Sequence, residues 1–145
     1  MDTIDEEIIR CVLRNARSTY AEIGEAAGLS APAAKRRLDR LVATGAIRGF
    51  TALIDTRALG WRTEAYVEVY CKGNPSPTEL QRDLEGIPEV VEACTVSGAA
   101  DAMLHMLAKD IAHLEQAIQR VREAPVIDRT ESVIVLSRLL NRPRL

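Results

Sequence analysis

Two stretches of this sequence carry side chains whose types and spacing can do chemistry. The first is Lys35-Arg36-Arg37 with Arg40, four cations within six residues and only Asp39 among them as an acid. Cations at that density suit a polyanion, and arginine can also fork onto a base edge. The second is Ser97-Gly98-Ala99-Ala100-Asp101. A turn opened by glycine can aim backbone N–H groups at a carboxylate, and an aspartate can pair with an ammonium. An α-amino acid presents those two groups side by side, and Ala99 and Ala100 leave room for a medium or large side chain. Other chemistry finds less support. His105 and His113 have no nucleophile with a matching orienter, so no catalytic residue is assigned and an enzyme is not expected. Cys71, Cys94, His105 and His113 lack C-x-x-C or H-x-x-x-H spacing, and no P-loop or G-x-G-x-x-G occurs, so neither a metal nor another cofactor is expected.

The basic stretch needs a helix to present it. Gly28 can take the left-handed conformation that ends one helix, Leu29 supplies an apolar plug, and Ser30 is a good N-cap for the next. From Ser30 to about Thr44, Ala34, Leu38 and Leu41 fall at i, i+4 and i+7 and face a core, with Lys35, Arg36, Arg37 and Arg40 elsewhere on the surface. A small-residue helix, a glycine turn and a capped basic helix form the helix-turn-helix pattern, whose second helix enters the DNA major groove. Ser30, Ala31 and Ala33 at the start of that helix, with Arg48 beyond it, complete the DNA-facing set. Upstream, Thr3 and Glu6 read as a capping box for a helix over 3–15, and Thr19 and Glu22 as a second one. Residues 47–54 alternate loosely and read as the strand of a wing.

The second half changes period. Residues 63–71 alternate as a strand, 78–84 form a helix, and 90–97 and 102–108 are strands joined by the Gly98–Asp101 turn. Asp110 caps a helix through Arg122, and a last strand lies within 126–139, most clearly over 132–136. Strand, helix, strand, strand, helix, strand is the ferredoxin-like arrangement. The fold class is therefore α+β: a winged helix-turn-helix over 1–54, a linker over 55–62 and a ferredoxin-like βαββαβ domain over 63–145.

Composition agrees with this reading. The 145 residues are 28% charged and 47% hydrophobic, and no apolar run approaches the roughly 18 residues of a membrane span. The acidic start (Asp2, Asp5, Glu6, Glu7) is unlike a signal peptide, and three scattered cysteines suit a reducing compartment, so a cytoplasmic protein is expected. The net charge of −2 conceals a local excess, because residues 30–49 hold five basic residues against one acid. That local face, rather than the total, governs phosphate binding. The strand 102–108 is apolar on both sides, Met103 and Leu107 on one and Leu104 and Met106 on the other. Two helices cover one face of a ferredoxin-like sheet, so Met103 and Leu107 are expected to meet a second copy in a two-fold dimer. The alternative is a half-exposed face of mixed residues.

These residues also carry a family resemblance. Asp2-Thr3-Ile4-Asp5, Asn15-Ala16-Arg17, Glu22-Ile23, Gly28-Leu29-Ser30, Arg37-Leu38, Leu41 and Gly45-Ala46-Ile47 resemble the N-terminal domain of the Lrp/AsnC regulators in order and spacing. Ile87-Pro88-Glu89-Val90, Val96-Ser97-Gly98 and Asp101 look like that family's C-terminal domain. The resemblance implies a transcription regulator of amino-acid metabolism that binds double-stranded DNA, dimerises through its second domain and assembles further, often to octamers. It implies an amino-acid effector near the Gly-x-x-Asp turn, with Thr130 and Ser132 aligned to a Thr-x-Thr-like segment near the ligand. Ala99 and Ala100 depart from the larger or polar pair common in the family, so the effector's identity does not carry over. Pro32 and Ala34 likewise leave the operator sequence open. An effector-independent architectural DNA-binding protein is the alternative function.

Overall fold

A computed structural model describes residues 1–140 of the chain. One compact unit comprises Met1–Leu53 and a second begins at Ile54. The expected end of the second domain, at 145, lies outside the described residues.

The first unit has three helices: α1 (Thr3–Arg14), α2 (Tyr20–Ala27) and α3 (Ala31–Ala43). Asp2, not Thr3, is the N-cap of α1. Its carboxylate accepts from the Asp5 N–H at 2.8 Å, and Asp5 accepts in return from the Asp2 N–H at 3.3 Å. A carboxylate at that position also complements the positive end of the helix dipole, which a threonine hydroxyl cannot do. Thr19 and Glu22 form the expected box at the start of α2, and Gly28 (φ 67°) ends it. Ser30 occupies the N-cap of α3 without a side-chain cap bond. Pro32 has removed one of the two N–H groups that such a cap would satisfy. Ile8, Cys11, Val12, Ile23, Ala34, Leu38 and Leu41 form the core of this unit.

Past α3 the expected wing strand is not formed. Ile47 bonds back to the Leu41 carbonyl and packs on the core, but residues 48–54 carry no strand pairing, and Phe50, Leu53 and Ile54 are exposed. A strand needs a neighbour for its N–H and C=O groups, and no neighbour pairs with this segment among the described residues. The expected linker is more ordered than a spacer. Asp55 caps a short 3-10 turn over Thr56–Leu59, and the Arg62 N–H donates to the Ala108 carbonyl.

The second unit contains β1 (Thr63–Cys71), α4 (Pro77–Leu84), β2 (Val90–Thr95), β3 (Ala102–Ala108), α5 (Ile111–Arg122) and β4 (Ile127–Ile134). The strands pair antiparallel in the order β2-β3-β1-β4, the ferredoxin-like order. Val67 lies level with Leu104 on one side and Ser132 on the other. Ala65, Val67, Val69, Leu104 and Met106 are fully buried on the face packed by Leu80, Leu84, Leu114, Ile118 and Val121. The last strand starts at Ile127, five residues before the clearest sequence signal. Arg129 and Glu131 hide its beginning, because both point to the sheet's other face and break the apolar pattern.

One buried charge holds the far end of the sheet. Glu89 is 3% exposed, and its Oε1 meets Arg120 at 2.7 Å and His113 at 2.6 Å, while Oε2 has no partner among the described residues. The Lys109 N–H donates to His113 Nδ1, so the proton of that ring faces Glu89 from Nε2. Burial pushes the Glu89 carboxyl up, but the bonds from Arg120 and His113 outweigh it and hold the group below its ordinary value. The folded value is thus the lower one. The stabilisation is complete above the unfolded value of about 4.3 and is lost as pH falls through the folded one. Glu89→Gln should therefore cost about 1–2 kcal/mol at neutral pH, Arg120 being partly exposed and solvent-screened. Urea titrations should show the gap to the unmodified protein closing as pH falls below the ordinary carboxylate range, and a constant gap would exclude the linkage.

Candidate DNA-binding surface and effector turn

The four cations of α3 divide into different classes once their partners are seen. Arg37 Nη1 lies 2.6 Å from Asp2 Oδ2 and 2.9 Å from Asp5 Oδ1. Arg40 Nη2 lies 2.9 Å from both oxygens of Asp5. Lys35 Nζ is 2.5 Å from Asp39, one turn along the same helix, and 5.9 Å from the centre of the Tyr20 ring. Arg36 and Arg48 are exposed and make no ion pair among the described residues. The bond from Arg37 holds the Asp2 carboxyl down at about 2. Asp5 is buried, which raises its carboxyl, but Arg37, the Asp2 N–H and Arg40 leave it below the ordinary range.

These bonds separate Arg36, Arg37 and Arg40, which the sequence places together on the surface of α3. Arg37 and Arg40 bend onto the start of α1, and of the three only Arg36 makes no ion pair among the described residues. Ala33, Arg36, Arg37 and Arg40 line one shallow cavity of about 310 Å³. Ser30 is exposed, and Ala31 and Ala33 are half-buried at the start of α3. In the sequence Asp2 and Asp5 stand out only as part of an acidic start and of the family motif, the capping box being assigned to Thr3 and Glu6. Their partners stand 32 and 35 residues away, beyond any local spacing rule.

The Gly98–Asp101 turn joins β2 to β3. Asp101 Oδ2 accepts from the Cys71 N–H at 2.7 Å, and the Asp101 N–H donates to the Val69 carbonyl at 2.9 Å, which ties the turn to β1. The N–H groups of Gly98, Ala99 and Ala100 make no hydrogen bond among the described residues, and Gly98 has φ 141°. Ser97, Ala99 and Asp101 are exposed, whereas Ala100 is buried and adds no room outside. Thr130 and Ser132 are not brought to this turn within one chain. Thr130 is level with Val69 on the far side of β1, two strand spacings from β3, or about 10 Å. Its hydroxyl accepts from Arg122 at 2.8 Å, and Ser132 lies two residues further from the turn, beside α5.

The face of the sheet opposite the helices is mixed. Met103 and Leu107 flank His105, whose ring stacks on Tyr66 at 4.9 Å and whose Nε2 lies 2.6 Å from Glu64. Glu64 also pairs with Arg138, and Arg129 sits 3.5 Å over the Tyr70 ring. Val133 is exposed on the same face, level with Tyr66. Cys94 shares this open face, while Cys71 is on the helix side. Among the described residues no three His, Cys, Asp or Glu side chains are grouped to hold a metal ion. Among them, too, no helix is long and apolar enough to cross a membrane.

Comparison with known proteins gives this geometry a family. Residues 1–42 match the AsnC-type helix-turn-helix domain, and residues 64–145 match the Lrp/AsnC ligand binding domain. The HTH-type transcriptional regulator Rv2324 of Mycobacterium tuberculosis is 49% identical over 142 residues, covering 98% of this chain and 96% of the relative. LrpA of the same organism is 31% identical over 137 residues, covering 94% and 91%. Among solved structures, the feast or famine regulatory protein Rv3291c of M. tuberculosis complexed with L-methionine superposes with a TM-score of 0.91. It is 29% identical and covers 99% of this chain and 97% of that one. These relatives are regulators rather than enzymes, and with both domain matches in order this chain belongs to the Lrp/AsnC family of helix-turn-helix transcriptional regulators.

Proposed function

We propose that the chain is a sequence-specific regulator of amino-acid-related metabolism that reads double-stranded DNA with α3 and responds to an amino acid at the Gly98–Asp101 turn. The observation that carries the DNA half is Arg36, the one guanidinium of the α3 cavity that no carboxylate holds among the described residues. It leads the contact, with Lys35, Arg48 and the exposed Ser30 around it, and Ala31 and Ala33 letting the helix start approach the groove. Arg37 and Arg40 lie at the edge of the same surface. Arg36→Ala should lower affinity for every duplex and reduce the salt slope by about one if it meets a phosphate. If it forks onto a base edge, the loss is about 1–3 kcal/mol at one position of the site. Fluorescence anisotropy across salt concentrations separates the two, and an unchanged affinity would refute this assignment.

The effector half rests on the N–H groups of Gly98, Ala99 and Ala100 beside Asp101, unbonded among the described residues, a small nest with a carboxylate at its edge. Methionine is the first amino acid to test, since a relative is described as complexed with L-methionine. A ligand that binds only the folded state raises the melting temperature with its concentration. Asp101→Asn retains an acceptor for the Cys71 N–H while removing the charge for the ligand ammonium. Calorimetry on that variant should show affinity weakened by about 1.5–3 kcal/mol. Undiminished binding would place the ligand elsewhere and leave Asp101 as the tie between the turn and β1. Thr130 and Ser132 can contribute hydroxyls only from a second copy, in keeping with a site completed by assembly. Silence across all the amino acids would favour an architectural DNA-binding role.

The working unit in this reading is a homodimer joined through Met103 and Leu107 on the open sheet face, assembling further toward an octamer in the cytoplasm. Met103 and Leu107, half-buried on either side of the stacked His105, are the apolar part of that face that supports the dimer.

A further inference from the structure

We propose that Asp2 and Asp5 are positioning residues for specificity: they restrain Arg37 and Arg40, so that sequence-independent phosphate binding by α3 is held down and Arg36 leads the contact. The inference rests on α3 being the DNA-facing helix. Three guanidiniums at positions 36, 37 and 40 share one shallow cavity. Left to themselves they would carry three positive charges into any duplex they met, and each neutralised phosphate steepens the salt dependence by about 0.9. Such a trap binds all sequences alike, because phosphate contacts carry no sequence information.

Two carboxylates stand behind that cavity and reduce its charge. Asp5 is 2% exposed and touches both Arg37 and Arg40 at 2.9 Å, so water and phosphate cannot readily take its place. Asp2 is half exposed and holds Arg37 at 2.6 and 2.8 Å. Three cations against two anions leave one net positive charge where the arginines alone would give three. Only 27% of the Arg37 side chain reaches solvent, against 55% for Arg40. A passing phosphate must break charge-assisted bonds to engage either arginine fully, and those are the stronger class of hydrogen bond. A purely structural pairing of α1 with α3 would predict that breaking it weakens DNA binding through loss of folding. Restraint predicts the opposite sign.

The test uses the full chain with Asp2→Ser and, separately, Asp2→Asn. Serine and asparagine are both good N-caps, so α1 keeps its start while Arg37 loses its exposed partner. Anisotropy titrations on a random-sequence duplex over a range of salt are paired with circular-dichroism melts. The expected result is several-fold tighter non-specific binding and a salt slope steeper by about 0.9. Adding Arg37→Ala to Asp2→Ser should cancel the gain. Unchanged or weaker non-specific binding by the folded variants would overturn the proposal. Should neither variant fold, Arg37→Ala alone decides: its slope must fall less than that of Arg36→Ala, and an equal fall overturns the restraint. If Arg36→Ala itself changes nothing, it is the DNA-facing assignment of α3 that fails, so the two failures are distinguishable.

Discussion

Gly24→Ala should cost the N-terminal unit about 3 kcal/mol or more, enough to leave much of it unfolded near body temperature. A methyl group at residue 24 would sit 2.5 Å from the Leu29 carbonyl oxygen and 3.3 Å from the Ser30 carbonyl carbon. Both are backbone atoms of the turn that sets α3 on α2, and the Leu29 N–H already donates to the Gly24 carbonyl at 2.7 Å. The turn can yield only by opening the contact that positions α3, the helix proposed to face DNA. A small unit has little stability in reserve, since it buries a smaller fraction of its surface. Far-UV circular dichroism should show the helical transition moved down by well over about 10 °C, with DNA binding lost in parallel. A melt within about 2 °C of the unmodified protein would mean that the turn accommodates the methyl group.

Met103→Asp should dissociate the proposed dimer. Met103 and Leu107 are the partly buried apolar residues of β3 on the open face, with His105 between them. A carboxylate placed where two such faces meet is buried without a partner in both copies. A penalty of about 3–5 kcal/mol is typical of an uncompensated charge, which weakens association by roughly two to nearly four orders of magnitude. Light scattering at micromolar concentration should give the mass of a monomer for the variant and at least a dimer for the unmodified protein. A monomeric unmodified protein, or an unaltered variant, would remove this face from the assembly. Leu107→Asp should behave alike, whereas Val133→Asp, exposed further along the sheet, tests how far the contact extends.

The parts of this protein that were legible in the sequence are those fixed by neighbours a few residues away. Gly28 and the Thr19–Glu22 box announce the end and start of α2, and the apolar run from Ala102 to Ala108, bounded by Asp101 and Lys109, announces β3 to the residue. The parts that were not legible depend on distant partners. The start of α1 moves to Asp2 because Asp5 can reciprocate and is itself held by Arg37 and Arg40. Residues 47–54 have the alternation of a strand but no strand to pair with among the described residues. Thr130 and Asp101 look like members of one site until the register shows β1 between them. Arg37 and Arg40 illustrate the general difficulty. A helical pattern tells which side of a helix a charge is on, but not whether another helix has already claimed it.

The division of the chain into two cores has a thermodynamic consequence. The helical unit is held by Ile8, Ile23, Leu38 and Leu41, the sheet unit by Val67, Val69, Leu104 and Met106, and the two sets of side chains form separate clusters. A calorimetric scan should then resolve two transitions, and no single melting temperature describes the protein. An effector bound at the Gly98–Asp101 turn stabilises the sheet unit directly and shifts its transition by mass action. The helical unit's transition moves only to the extent that the two units exchange free energy. Its displacement at saturating ligand therefore measures the allosteric coupling itself, and by reciprocity DNA must displace the sheet unit's transition by the same free energy.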